Sequence, residues 1–440
     1  MTAASRVLLG ILGGVLLRAL LLPLPGSTDV LIWKVWSANA ARDVTGVYGV
    51  GGVPPERRVL HWQGQDMTVD YPPLTLDELA VAGRAYELVS PAFDDTRWLT
   101  AFVKLPGLIA EIVLVAALLT WGRRAIGDAA ATWTALGFWL NPLVILNGAA
   151  LGYLDAQMAV PLVLAVVAAW MGRATITGVL VAVAVLTKAQ AIFAVPALAV
   201  VLFWRAHRVR GLAIASAAGA AMSAALVAPF VVRGAWANLL QAVGRLATHD
   251  MLSAQAANVW WIVTWVLRVL DAAPDSGWRA ALTQQVRILG ISSAEALGYP
   301  NPRVVGLVLT AAAIAWACWQ LAREVSLARA AAVAGWCAYA YAMLAAQVHE
   351  NHWYAAVPLF ALAAGADRRY RTTFWAITAI AALNLYLFYG LGDGRPPVTL
   401  RSWTGVDMTV VLSIVNVGVF TYAARVIAVS TQPPVGAGNF

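Results

Sequence analysis

Charge is scarce in this chain. Asp, Glu, Lys and Arg supply 12% of its 440 residues, about half the share usual in a soluble domain. That shortage excludes an ordinary water-soluble fold. Cysteine is also rare: Cys318 and Cys337 both lie in apolar runs, which excludes a disulfide framework and a cysteine-based metal site. The lysines are Lys34, Lys104 and Lys188 alone, so a lysine in a polar turn calls for a reason. No solenoid-like period and no duplication of halves is visible.

What is present is apolar. Hydrophobic residues make up 61% of the chain, and runs of about 20 recur, each able to cross the ~30 Å hydrocarbon layer of a bilayer. The runs are continuous rather than alternating, which excludes a β-barrel. The formal net charge of +8 does not indicate nucleic-acid binding, because the basic residues sit in short loops between apolar runs, where they set topology. The expectation is an all-α polytopic membrane protein, a single transmembrane domain over 1–440 with about twelve spans. These are expected near 5–24, 99–121, 129–149, 155–171, 174–187, 190–204, 211–232, 303–322, 328–347, 351–366, 371–391 and 406–429. The first run has no small-residue cleavage pattern and reads as a retained anchor.

Arginine placement decides the topology. With two short spans on either side of Lys188, Arg6, Arg123, Arg124, Arg173, Arg205, Arg208, Arg210, Arg323, Arg329, Arg368, Arg369, Arg371 and Arg425 all fall on one side, which the positive-inside rule makes cytoplasmic. Merging 174–204 into one helix would throw the later clusters outside. Both termini are then cytoplasmic. The Trp-rich run 258–270 is short for a span and is expected outside, as a re-entrant or interfacial helix within the external segment 233–302. The longest external segment is 25–98, too long for a simple connection, with helical pieces expected at 29–43 and 74–89. A third external stretch is 392–405.

Polar groups in or beside a membrane are costly. Asp29 follows the first run directly, in STDVLIWKVW, and Asp70 and Tyr71 lie in VDYPPL. Asp155 and Gln157 lie in LGYLDAQ, Lys188 and Gln190 in LTKAQA, and His349 with Glu350 in QVHENH. The topology brings all of them to external turns, which predicts a shared site at the outer leaflet. Each also has a plainer reading. Asp29 and Asp155 can cap helices, the double proline can stiffen a loop end, and Lys188 can snorkel. Lys104 and Glu111, seven apart on one helical face, are expected to pair, and Arg18 to face the protein interior. His61, His207 and His249 form no metal-ligand pattern.

The ordered set of Asp29, DYPPL, GYLDAQ, TKAQAIFAVP, ANVWW (257–261) and VHENHWYAAVP (348–358) resembles the C-type glycosyltransferase (GT-C) superfamily. The likeness is to the dolichyl-phosphate-glucose-dependent glucosyltransferases and the bacterial polyprenyl-phosphate-mannose-type transferases. The chain departs from the eukaryotic members in having GYLDAQ for their aromatic and His-rich turn and Asn351 for the Lys after HE. The resemblance implies a GT-C bundle with a catalytic first external loop in the plasma membrane. It implies inverting transfer from a polyprenyl-phosphate sugar to a glycan, glycolipid or protein acceptor, with Asp29 as catalytic base. Lys188, His349 and Arg84 are the candidates for the donor phosphate. Asp70, Tyr71, Asp155, Gln157, Gln190 and Glu350 are the candidates for other substrate contacts. A divalent metal could be held through Asp29, Asp155 and Glu350 but is not required for a monophosphate leaving group, and no other cofactor is implied. The rival readings are a multi-pass transporter or lipid flippase, whose sites tend to lie at the midplane in broken helices, and a non-catalytic assembly subunit.

Overall fold

In a computed structural model, the chain is described over residues 3–50, 59–245, 248–294, 300–403 and 405–429. The apolar runs fold as helices. The first is α1 (Ala3–Leu21), which turns Leu8, Leu12, Leu16 and Leu20 outward and buries Arg18. The segment after it then forms α2 (Asp29–Asp43), a hairpin of β1 (Leu60–Trp62) and β2 (Gln65–Met67), and α3 (Pro73–Glu87). Both helical pieces expected there are present. They share a small core of their own, in which Trp33, Trp36, Leu76, Leu79 and Tyr86 pack together.

The membrane part follows. It comprises α4 (Arg97–Ala117, continued as a helix to Ile126), α5 (Asp128–Trp139), α6 (Pro142–Ala150), α7 (Asp155–Trp170), α8 (Ala174–Thr187), α9 (Ala189–Arg205) and α10 (Val209–Val232). After α11 (Trp236–Arg245) and α12 (Val259–Ser276) come α13 (Pro302–Arg323), α14 (Leu327–Leu344), α15 (Ala356–Ala366), α16 (Arg371–Tyr389) and α17 (Met408–Ala428). The chain breaks at Lys188, so 174–204 is two helices and not one.

Six helices among the described residues are long and apolar enough to cross a bilayer: Arg97–Ile126, Val209–Val232, Pro302–Arg323, Leu327–Leu344, Arg368–Tyr389 and Met408–Ala428. A seventh crossing results if α5 and α6, bent by 41° at their junction, are taken as one span. The expected runs at α7, α8, α9 and α15 instead form shorter apolar helices, below the ~20 residues a straight crossing needs. Helices α7, α14 and α15 are buried nearly all round and form the centre of the main core.

One expected pairing is corrected. Glu111 accepts from Arg18 Nε at 2.7 Å, and the Arg18 guanidinium also lies 3.7 Å from the Trp139 ring centroid. Lys104 pairs with no carboxylate among the described residues. Its ammonium donates to the carbonyls of Leu24 and Ala150, both at 2.8 Å, and of Ala149 at 3.2 Å. The reason is geometric: α6 ends in a widened turn over Ile145–Ala150, and carbonyls at a helix end need donors. Glu111 takes the cation that α1 brings to it.

Candidate active site

The sequence places Asp29 in the first turn of α2, and the local fold explains its exposure to a cavity. Gly26 turns the chain with φ +85° and Ser27 N donates to Leu151 O at 2.9 Å, tying the loop to the turn before α7. Gly152 in that turn has φ +78°, and a Cβ there would meet Val30 at 2.6 Å and Lys104 at 2.9 Å. Only glycine lets α2 approach so closely. Trp33 Nε1 completes the join by donating to Gly152 O at 3.0 Å. Asp29 does not cap its helix: Thr28 holds the N-cap position and no side chain bonds the first turn. The Asp29 carboxylate has no hydrogen-bond donor among the described residues and lines a cavity of about 610 Å³.

DYPPL forms the neighbouring wall. Pro73 occupies the first turn of α3, where a proline costs no hydrogen bond, and Pro72 holds the chain extended before it. Asp70 and Tyr71 are thereby set against the cavity. The Tyr71 ring packs edge-on against Trp33 and Trp36, at 5.3 and 5.5 Å between centroids. Thr75 on α3 donates to Thr187 O at 2.7 Å, which fixes this wall to the end of α8 beside Lys188.

Lys188 sits at the break between α8 and α9. Its ammonium donates to Asp155 Oδ1 at 2.6 Å and also lines the cavity. Asp155 Oδ2 accepts from Asn147 at 3.1 Å and from Asn351 at 3.0 Å. The GYLDAQ, TKAQ and HEN turns are therefore held by one buried carboxylate. Glu350 lies behind the cavity wall and accepts from the hydroxyls of Tyr153 and, at 3.0 Å, Tyr389.

His349 and Gln190 line the cavity. Gln190 Nε2 is buried with no partner among the described residues, as are both side-chain polar atoms of Gln157, which lies beneath the site and outside the lining. Arg84 is elsewhere: its Nε donates to Ala41 O at 3.1 Å and it does not line the cavity. Asp29, Asp70, Tyr71, Lys188, Gln190 and His349 are thus brought together, Asp155 and Glu350 stand directly behind them, and Arg84 is apart.

Other lining residues carried no sequence signal. His249, in the segment before α12, lies 3.9 Å from Asp70. Its ring is 6.0 Å from that of His349, which is 5.4 Å from that of His352. Three of the chain's five histidines therefore meet at one wall. Arg303, at the start of α13, lines the cavity and donates to His249 O at 3.1 Å. The pairing of the two-residue strands β3 (Ser253–Ala254) and β4 (Val348–His349), with Gln347 N donating to Leu252 O beside it at 3.0 Å, helps to bring these distant segments together. Among the described residues, no three His, Cys, Asp or Glu side chains are grouped as metal ligands.

The electrostatics divide the cavity. Burial, with Glu350, Asp155 and Asp70 nearby, pushes the Asp29 carboxyl up to about 7, against the opposing pull of Lys188. Burial also raises Asp70, although His249 and Arg245 oppose it. Burial disfavours the Lys188 ammonium, yet Asp155 and Tyr71 together more than offset this and hold it above its ordinary value. His349 is pushed down to about 4 by burial and by His249 and Lys188, so it is neutral near pH 7. The cationic charge on the wall comes from Lys188 and Arg303. This arrangement offers a carboxylate poised to take a proton near neutral pH, opposite cations suited to an anionic group.

No protein-family model matches the chain, and no curated protein matches it in sequence. Its fold is similar to that of ArnT from Cupriavidus metallidurans, solved bound to undecaprenyl phosphate, with TM-score 0.51 and 12% identity over 97% of this chain and 77% of that one. That likeness shows a GT-C-like, all-α fold for a multi-pass membrane protein. The oligosaccharyltransferase of Archaeoglobus fulgidus in the apo form also matches, with TM-score 0.45 and 13% identity over 98% of this chain and 56% of that one.

Proposed function

We propose that the chain is an inverting glycosyltransferase that moves a sugar from a polyprenyl-phosphate carrier to an acceptor hydroxyl on the non-cytoplasmic side of the membrane. The observation that carries this reading is that the Asp29 carboxylate, without a hydrogen-bond donor among the described residues, lines one cavity together with Lys188 and Arg303. The GT-C-like fold and the undecaprenyl phosphate bound to ArnT support a lipid-phosphate donor.

In this reading the donor phosphate is held by Lys188 and Arg303, with hydrogen bonds from His349 and His249. Asp29 accepts the proton of the acceptor hydroxyl as its oxygen attacks the anomeric carbon, and the bond from that carbon to the phosphate oxygen breaks on the opposite face. The configuration inverts and the polyprenyl phosphate leaves as an anion beside the cations. Base assistance of this kind is worth roughly 10²–10⁴ in rate, and fixed cations at the leaving phosphate add electrostatic stabilisation. Asp70, Tyr71 and Gln190 are placed to contact the sugar or acceptor, while Asp155, Gln157 and Glu350 shape the site from behind.

The lining also suits a lipid carrier. Ile192 and Leu307 line the cavity and are 55% and 60% exposed. They mark a lateral opening between α9 and α13 through which a polyprenyl chain reaches the hydrocarbon. We further read the shorter apolar helices as completing a bundle of about twelve, with 25–98 as the catalytic loop of the single domain, α12 at the interface and both termini cytoplasmic in the plasma membrane. The acceptor is a glycan, a glycolipid or a protein.

The test is a transfer assay on purified protein with a panel of radiolabelled polyprenyl-phosphate sugars. Label should leave one carrier for an acceptor or water with the wild-type protein and stay on it with Asp29→Asn. Equal transfer by both proteins would remove Asp29 from the mechanism. Binding of a carrier without turnover by either would favour a transporter or flippase.

A further inference from the structure

A second concavity, of about 370 Å³, lies between α3 and α4 and takes no part in the site above. Its walls are apolar: Val81, Ala82 and Ala85 on one side, Leu105, Pro106 and Ile109 on the other. Its lips face outward, Val81 being 66% and Ile109 57% exposed. On α4 that outward face continues through Ile112 and Val113, which makes the mouth part of the lipid-facing surface of a membrane helix. On α3 the residues at 78, 81, 82 and 85, followed by Leu88 just past the helix, form one stripe, apolar at every position but Glu78.

An acid in a lipid-facing stripe is costly unless it has a purpose. Glu78 Oε2 is buried at the groove with no partner among the described residues. The opposite wall holds a complementary group. Pro106 has no N–H, so the Phe102 carbonyl one turn earlier lacks its helical donor, and both residues line the groove. Burial, helped by Asp77, pushes the Glu78 carboxyl up to about 8, so it is protonated near neutral pH and can donate. The groove thus offers one donor and one acceptor between apolar walls. An ester or ether oxygen satisfies only the donor; a hydroxyl satisfies both.

We propose that the α3–α4 groove is a binding site for a lipid alcohol, a neutral lipid whose hydroxyl bonds Glu78 and the Phe102 carbonyl while its chain lies along Val81 and Ile109. The site is independent of the proposed transfer reaction and does not rest on it.

The experiment uses the full chain in phosphatidylcholine nanodiscs. Dicyclohexylcarbodiimide, which modifies protonated carboxyls at lipid interfaces, is applied at neutral pH and the modified peptides are mapped by mass spectrometry. Glu78 should be labelled in phosphatidylcholine alone and protected several-fold when dioleoylglycerol is added, but not when its O-methyl ether is added. A Glu78 that stays unlabelled in phosphatidylcholine, or equal protection by alcohol and ether, would overturn the assignment. In parallel, a diazirine-bearing diacylglycerol should crosslink to peptides covering Val81–Ala85 and Leu105–Ala110. Glu78→Leu should cut that crosslink several-fold and Glu78→Gln, which keeps a donor and an acceptor, should restore most of it. Equal crosslinking to wild type and Glu78→Leu would show that chain packing alone, and not the hydroxyl, fills the groove.

Discussion

The Lys188 ammonium donates to Asp155 at 2.6 Å while facing the cavity, so one side chain both closes a buried ion pair and presents charge to the substrate space. Asp155 is fully buried. Lys188→Met therefore leaves a buried carboxylate with only its two asparagine donors, and breaking such a pair typically costs about 3–5 kcal/mol. The thermal unfolding midpoint in detergent should fall sharply. The double variant Lys188→Met with Asp155→Leu should regain much of that stability and none of the transfer activity. If the double variant is no more stable than the single one, the pair does not hold the three turns together.

The carboxyl of Asp29 gives the pH dependence a definite sign. As a base it acts when deprotonated, so transfer at limiting donor should rise with pH through about 7 and then level off. Glu350 is the charged neighbour that raises Asp29 most, after burial itself. Glu350→Gln should shift the inflection to lower pH, read from the rate profile, and an unmoved inflection would uncouple the two. Stability runs the other way. A carboxyl raised from 3.8 in the unfolded chain to about 7 when folded binds more protons in the folded state across that window. Stability is therefore lost as pH rises from about 4 to about 7. Asp29→Asn should be more stable than wild type above pH 7 and indistinguishable from it below pH 4.

The interior pair of Arg18 and Glu111 makes a cleaner structural test, because it lies away from the cavity. Both side chains are 1% exposed. Glu111→Ala leaves the guanidinium buried without its carboxylate and should lower stability by about 3–5 kcal/mol. Lys104→Met should also destabilise, by freeing three carbonyls, but a double-mutant cycle between Lys104 and Glu111 should give a coupling near zero. The cycle between Arg18 and Glu111 should not.

Much of this architecture was legible in the sequence because membrane physics is strict. Continuous apolar runs gave the helices, and arginine placement required the break at Lys188 that α8 and α9 display. Polar groups at the turns pointed to the cavity: six of the ten residues singled out for the site line it, and Asp155 and Glu350 support it from behind. The failures have physical causes. Periodicity paired Lys104 with Glu111 on one helix but could not foresee that α1 would bring Arg18 to the glutamate. Hydropathy marks a short buried helix and a long membrane crossing alike, so it gave no warning that α7 and α15 would be short and enclosed. His249 and Arg303 were invisible because they reach the cavity through contacts between distant segments, the pairing of β3 with β4 and the bond from Arg303 to His249 O, and no local pattern records those.

Arg303 donates to the backbone of His249 with one nitrogen, while its Nε is buried without a partner among the described residues. A guanidinium with an unused donor at a cavity wall is suited to an anionic oxygen. Arg303→Lys keeps the charge but loses the fork, and should raise the donor KM several-fold with a smaller change in kcat. A fall in kcat alone, at constant KM, would instead place Arg303 on the leaving phosphate only as the bond breaks.

The lateral opening proposed beside Ile192 and Leu307 makes the last prediction, and it separates a lipid donor from a water-borne one. Both residues are apolar, line the cavity and are more than half exposed. A donor with a long polyprenyl chain must thread between them, whereas one with a short, water-soluble chain can arrive from the aqueous mouth. Leu307→Trp narrows that passage while leaving the charge of Arg303, one turn earlier on α13, in place. It should therefore raise KM for a long-chain carrier and leave KM for a short-chain analogue nearly unchanged. The comparison has an internal control, since a general distortion of the site would penalise both donors alike. Equal penalties would place the lipid path elsewhere on the bundle, and no penalty for either would mean that α9 and α13 do not flank the donor at all.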